Sequence, residues 1–146
     1  MKLNIKRLSE DAIIPTYATD YSAGADLYVP KNSGTVTVNP HETKMIKLGI
    51  ALEIPEGYVG LIFGRSGMAS KRSLAPANKV GVIDSDYRGE CMVALHNHSN
   101  IPQSVEAGER IAQIAIVPYI KCDYCEVEEL SDTVRGAGGF GSTGSR

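Results

Sequence analysis

A chain of 146 residues with 15 basic and 17 acidic side chains carries a formal net charge of −2, so it lacks the basic field of a general nucleic-acid binder. That length suits one domain, in which roughly two-thirds of the unfolded surface can be buried without metal or disulfide staples. No apolar run reaches the ~18 residues of a membrane span, and Met1-Lys2-Leu3-Asn4-Ile5-Lys6 alternates instead of forming a signal-peptide block, which predicts a cytoplasmic protein.

Leu3 to Leu8 alternates and predicts a strand, followed by a loop with Pro15 and Tyr17. The small residues of Tyr21-Ser22-Ala23-Gly24-Ala25 let the backbone run close to a neighbour, and Asp26 then falls in the middle of a short strand. If buried it needs a partner, either an ion pair or turn bond, or a ligand or metal. Asn32-Ser33-Gly34 predicts a turn, Thr35 to Val38 a strand and Asn39-Pro40 another turn. Ile46, Leu48, Ile50, Leu52 and Ile54 alternate and predict one half-buried strand, ended by Pro55-Glu56-Gly57, with Tyr58 to Phe63 as the next. Gly64-Arg65-Ser66-Gly67 then places a cation, a hydroxyl and two glycines at a strand end, and Met68 to Arg72 predicts a helical turn. An anion there would take backbone N–H groups, the Ser66 hydroxyl and the Arg65 fork, although plain turns carry the same residues.

Gly81 to Glu90 packs Asp84, Asp86, Tyr87 and Arg88 into a glycine-bounded turn. With Val80 to Ile83 entering and Cys91 to Leu95 leaving, the pattern predicts a rigid hairpin whose tip shows a ligand its side chains and backbone groups; an ordinary polar turn is the alternative. His96 and His98 lie two apart near Cys91, a spacing that suits a metal but fits polar residues at a strand end better. Gln103 to Val105 and Arg110 to Val117 predict strands around the turn Ala107-Gly108-Glu109, and Gln113 needs hydrogen-bond partners inside the second. Three cysteines, an odd number, fit a reducing compartment, and Cys122-Asp123-Tyr124-Cys125 has the spacing of a redox pair or half a zinc site, but no second C-x-x-C follows and no helical pattern opens after it. Glu126 to Leu130 predicts a last strand. The Gly/Ser-rich end has the composition of disorder, yet Arg135 and Phe140 suit ligand-touching groups on a lid. About ten short strands and almost no helix indicate an all-β sandwich or jelly roll, expected over residues 1–130, with 131–146 as a flexible closing tail.

Five stretches, Ala23-Gly24-Ala25-Asp26-Leu27, Gly64-Arg65-Ser66-Gly67-Met68, Gly81-Val82-Ile83-Asp84 through Tyr87-Arg88-Gly89, Gly108-Glu109-Arg110-Ile111-Ala112-Gln113, and Arg135-Gly136 through Gly138-Gly139-Phe140-Gly141, together resemble the five motifs of the trimeric dUTP pyrophosphatase (dUTPase) family in order and spacing. Ser73-Leu74-Ala75-Pro76-Ala77 departs from that family's usual Gly-Ile-x-Val. The resemblance implies a jelly-roll homotrimer with sites at subunit interfaces, Mg²⁺ on the triphosphate, and dUMP and pyrophosphate as products. It implies that Asp84 activates the attacking water and Tyr87 packs under the deoxyribose. Asn78 and the backbone around Gly81, Val82 and Ile83 would read uracil, with Met92 also at the substrate. Arg65, Ser66, Gly67 and Gln113 would bind phosphates, Arg135 would add charge, and Phe140 would stack on the base, with Gly141 also at the substrate. Asp26 would reach the metal through water. The competing dCTP deaminase activity needs a glutamate on the outgoing strand where this chain has Ala94, and a catalytically silent nucleotide-binding module is the other alternative.

Overall fold

Alternating apolar residues punctuated by glycine and proline give twelve short strands and one helix in the computed structural model, which describes residues 1–139. The elements are β1 (Asn4–Arg7), β2 (Thr16–Tyr17), β3 (Ala25–Tyr28), β4 (Val36–Val38), β5 (Thr43–Lys47), β6 (Ile50–Glu53), β7 (Tyr58–Gly64), α1 (Ser66–Arg72), β8 (Leu74–Pro76), β9 (Val80–Ile83), β10 (Met92–Asn97), β11 (Gln103–Val105) and β12 (Arg110–Pro118). Five strands form the largest sheet in the order β2-β3-β12-β7-β9. A second sheet runs β5-β10-β8, and β1-β6 and β11-β4 form two-stranded ribbons. All pairings are antiparallel. Leu27, Ile62 and Ile114 of the large sheet join Ile46, Val93 and Leu95 of the second, with Val38, Leu52 and Val105 from the ribbons, in a single buried cluster. The all-β class expected from the pattern is the class observed.

Three expectations need correction. The alternation from Ile46 to Ile54 is two strands in different sheets, because the chain turns at Gly49 (φ 66°). Cys91 holds the break, accepting from Leu48 N–H at 3.1 Å and donating to the Ile50 carbonyl at 2.8 Å, while the Glu90 carboxylate takes Gly49 N–H at 3.0 Å. Leu48 and Ile50 are both buried on either side of the turn, so the period survives it and hides it. The second correction concerns the hairpin: β9 pairs with β7, whereas β10 pairs with β5 and β8. Residues 84–91 are therefore a corner between sheets, pinned by Arg88 Nη1, which donates to the Ser85 carbonyl at 2.6 Å and the Tyr87 carbonyl at 3.1 Å. Thirdly, Glu126–Leu130 forms no strand; among the described residues the last one ends at Pro118, and residues 119–137 run exposed without pairing to a strand.

α1 begins two residues earlier than expected and ends on Ser73 in a left-handed conformation (φ 55°), whose N–H closes on the Met68 carbonyl. Buried Met68 anchors one face, and Arg72 ties the last turn to the Glu109 carboxylate and the Ser104 carbonyl. Those ties fix the last turn of α1 against β11 and the turn that leads into β12, and Arg65 stands as N-cap at the other end of the helix.

Candidate active site

At one end of the five-stranded sheet β12 lies between β3 and β7, and its Gln113 is in register with Asp26 on one side and Phe63 on the other. Asp26 is only 6% exposed. Its Oδ1 accepts from Arg65 Nε at 2.8 Å and its Oδ2 from Arg110 Nη1 at 3.1 Å, while Arg65 Nη1 donates to the Arg110 carbonyl at 3.3 Å. The partner that a buried Asp26 requires is thus a pair of guanidiniums. Two cations on one anion leave this edge with a surplus positive charge, and the Arg65 fork keeps N–H groups for another acceptor. Gln113 Nε2 donates to the Gly64 carbonyl at 3.0 Å. Its Oε1 packs against Gly24, where a Cβ would lie 2.6 Å away, so the amide is held from both sides. Ser66 and Gly67 are exposed beside this cluster on the first turn of α1. Three of the five stretches, 23–27, 64–68 and 108–113, therefore converge.

The stretch containing Asp84 lies elsewhere. Along β7 and β9, Phe63 faces Val80 and Gly60 faces Ile83, and continuing that register sets Asp84 level with Val59. Val59 and Arg65 are six positions apart, about 20 Å at ~3.3 Å per residue. Asp84 is exposed at one end of an open cleft of about 870 Å³, with Val82, Asp86, Arg88, Tyr119 and Lys121 among its walls. Tyr87 is 40% exposed, its N–H donating to the Asp84 carbonyl at 3.2 Å and its hydroxyl to the Glu90 carbonyl at 3.0 Å. Asn78 is exposed in the turn before β9, where Lys79 takes a positive φ of 63°, and its Nδ2 lies alongside Gly81. Because β9 is an edge strand, alternate N–H and C=O groups around Gly81, Val82 and Ile83 face away from the sheet. Val82 is 60% exposed and Met92, on β10, 37%.

A family model described as dUTPase matches residues 10–144. The chain belongs to the dUTPase family. It is 51% identical to a deoxyuridine 5'-triphosphate nucleotidohydrolase of Nautilia profundicola over 144 residues, covering 99% of both chains, and 47% identical to one of Hydrogenobaculum over the whole of both. Among solved structures, a Staphylococcus bacteriophage 80alpha dUTPase with dUPNHPP superposes at a TM-score of 0.89 with 33% identity, covering 98% of each chain. Membership of the dUTPase family makes the protein a hydrolase and accounts for the sandwich.

The remaining expected residues of this dUTPase-family chain fall into neither group. Arg135 is exposed and its Nε donates to the Gly138 carbonyl at 2.7 Å, closing a local turn; Phe140 and Gly141 lie outside the described residues. The rings of His96 and His98 are 4.4 Å apart, with His96 Nδ1 2.8 Å from the Thr43 hydroxyl and His41 Nε2 3.0 Å from Asn100 Oδ1. Desolvation, then the neighbouring His96, Lys79 and His41, holds His98 below the usual histidine range. Cys122 and Cys125 are free and exposed. Among the described residues no three His, Cys, Asp or Glu side chains are grouped to hold a metal. Asp26 has both oxygens engaged by arginines, which leaves a spare lone pair on each for a metal-bound water but no open carboxylate for inner-sphere ligation. Sequence reasoning missed Arg110 as a partner of Asp26 and Glu90 as the brace of the corner; strand register brings Arg110 to Asp26, and no sequence pattern marks either role.

Proposed function

We propose that the protein hydrolyses dUTP to dUMP and pyrophosphate by attack of water on the α-phosphorus, as a cytoplasmic homotrimer whose sites lie between chains. In the cell this would limit uracil incorporation into DNA and supply dUMP for dTMP synthesis. The observation that carries the reading is the strand register: the cationic cluster and Asp84 sit at opposite ends of one sheet. A general base must be ~2.6–3.2 Å from its water, and the water ~3–3.5 Å from phosphorus, so base and phosphate-holding cations belong within a few ångströms of each other. Two copies meeting end to end satisfy that requirement where one copy does not.

In this arrangement Asp84 of one chain positions the water and takes its proton. Tyr87 packs under the deoxyribose, and Asn78 with the open edge of β9 hydrogen-bonds uracil, whose rim alternates carbonyl acceptors and an N–H donor. Met92 adds a wall at the corner. Arg65, Ser66, Gly67 and Gln113 of the neighbour bind the phosphates, and Asp26 fixes Arg65 and would reach Mg²⁺ through water. Mg²⁺, carried by the triphosphate, would supply charge neutralisation. Residues 131–146 close over the site from a further copy, with Arg135 on phosphate and Phe140 and Gly141 at the base. No helix among the described residues is long and apolar enough to cross a membrane.

The test is to incubate the protein with dUTP or dCTP and Mg²⁺ and to measure pyrophosphate and ammonia. Pyrophosphate from dUTP, abolished by chelator, is the expected result. Ammonia from dCTP, or no turnover of dUTP, overturns the proposal.

A further inference from the structure

Gly89 lies directly against the Tyr87 ring. A Cβ on Gly89 would fall 2.4 Å from the Tyr87 hydroxyl oxygen, 2.5 Å from Cζ and 2.9 Å from Cε2, all far inside van der Waals contact. Gly89 is not among the glycines with positive φ, so its backbone would accept an alanine; only the ring is in the way. The Tyr87 hydroxyl donates to the carbonyl of Glu90, on the far side of Gly89, at 3.0 Å. That bond latches the ring back across the glycine. The turn below is held independently, by Tyr87 N–H on the Asp84 carbonyl and by Arg88 on Ser85 and Tyr87. The atoms most crowded by a side chain at 89 belong to the far end of a 40% exposed Tyr87, so the ring swings out before the backbone moves.

We infer that Gly89 is a specificity-determining positioning residue: by leaving room for the latched ring it sets where Tyr87 lies and thereby how strictly the site selects deoxyribose over ribose. The inference rests on the proposed packing of Tyr87 under the sugar and adds what holds the ring there. Gly89 acts only through Tyr87. A 2′-hydroxyl is excluded while the ring is folded over Gly89 and admitted once the ring is displaced, without disturbing Asp84.

The experiment is a double-mutant cycle on the full chain, reading kcat and KM for dUTP and UTP together with thermal melting. Tyr87→Ala should lower the ratio of kcat/KM for dUTP over UTP by roughly tenfold or more, the scale expected for a steric contact with one small group. Gly89→Ala should lower it in the same direction, through KM more than kcat. Adding Gly89→Ala to Tyr87→Ala should change nothing further, since no ring remains to displace. A ratio moved by Tyr87→Ala but not by Gly89→Ala overturns the inference alone, as do additive losses in the double variant. A ratio unmoved by Tyr87→Ala overturns the proposed sugar contact and the inference with it. Should Gly89→Ala not fold, Tyr87→Phe tests the latch: it keeps the ring and loses the Glu90 bond, and an unchanged ratio there overturns the inference.

Discussion

Removing the Asp26 carboxylate should destabilise the whole domain before it affects any chemistry. Its side chain is 8% exposed and bridges Arg65 and Arg110, whose side chains are 27% and 46% exposed. Breaking a fully buried ion pair by deleting one partner costs about 3–5 kcal/mol. Water reaches both arginines here, so screening lowers the expected cost of Asp26→Asn to about 2–3 kcal/mol. Asparagine keeps the shape but turns an amide donor toward one of two guanidiniums, leaving like charges side by side. At roughly 2–4 °C per kcal/mol for a domain of this size, the melting midpoint should drop by about 4–12 °C. The measurement is a thermal melt at fixed protein concentration, since an oligomer's midpoint depends on it, with and without added salt. Salt should recover part of the loss by screening the two arginines. KM for dUTP should rise as Arg65 loses its anchor. A variant that melts with the parent and differs only in Mg²⁺ dependence would refute this account and leave Asp26 as a metal-facing group alone.

Asp84→Asn should lower kcat by roughly the 10²–10⁴-fold typical of a general base while nucleotide binding, followed by calorimetry with a non-hydrolysable analogue, is retained. Gly49→Ala should cost about 1–3 kcal/mol in urea unfolding, because it combines a positive φ with a Cβ only 2.9 Å from that of Ala12. Burial, then the charge of Glu90, pushes the Cys91 thiol from 9.0 up to about 11. The unfolded chain therefore releases a proton that the folded chain keeps, and stability should fall as pH rises across that window; Cys91→Ala should flatten this alkaline slope. Mixing Asp84→Asn chains with chains truncated after residue 134 should restore some dUTP hydrolysis neither shows alone, because an intact Asp84 and an intact tail would then meet in one site.

Much of this molecule is legible from residue pattern, and what is not legible has definite causes. Period-two alternation located most strands, and two polar residues inside apolar strands, Asp26 and Gln113, announced that they needed partners; both have them. The break at Gly49 was invisible because Leu48 and Ile50 stay buried on either side of it, so the large apolar side chains keep a period of two in the sequence although residues 48–52 are all buried. The false hairpin has a different origin. Proximity in sequence favours pairing β9 with β10, but β7 offers β9 four matched positions from Gly60 to Phe63 in the larger sheet, and the tertiary partner decides. Arg110 shared the pattern of an exposed charge at a strand start, and only the geometry of β3 against β12 shows its second role.

The same register explains why the motif stretches had to be read together and yet do not meet in one chain. Arg65 and Asp84 are close in sequence, but β7 runs toward Arg65 while β9 runs back, so each residue added to the β7–β9 pairing carries Asp84 further from the cluster at ~3.3 Å a step. A shorter ladder would bring base and cations together at the expense of the hydrogen bonds that hold the edge strand. On the proposed reading the antiparallel ladder holds the two halves of the chemistry apart, and association of copies would rejoin them without unpicking it. If that is how the site forms, dilution should reduce activity at the concentration where copies separate, whereas Asp26 and its two arginines, bonded within one chain, should keep their geometry on either side of that concentration.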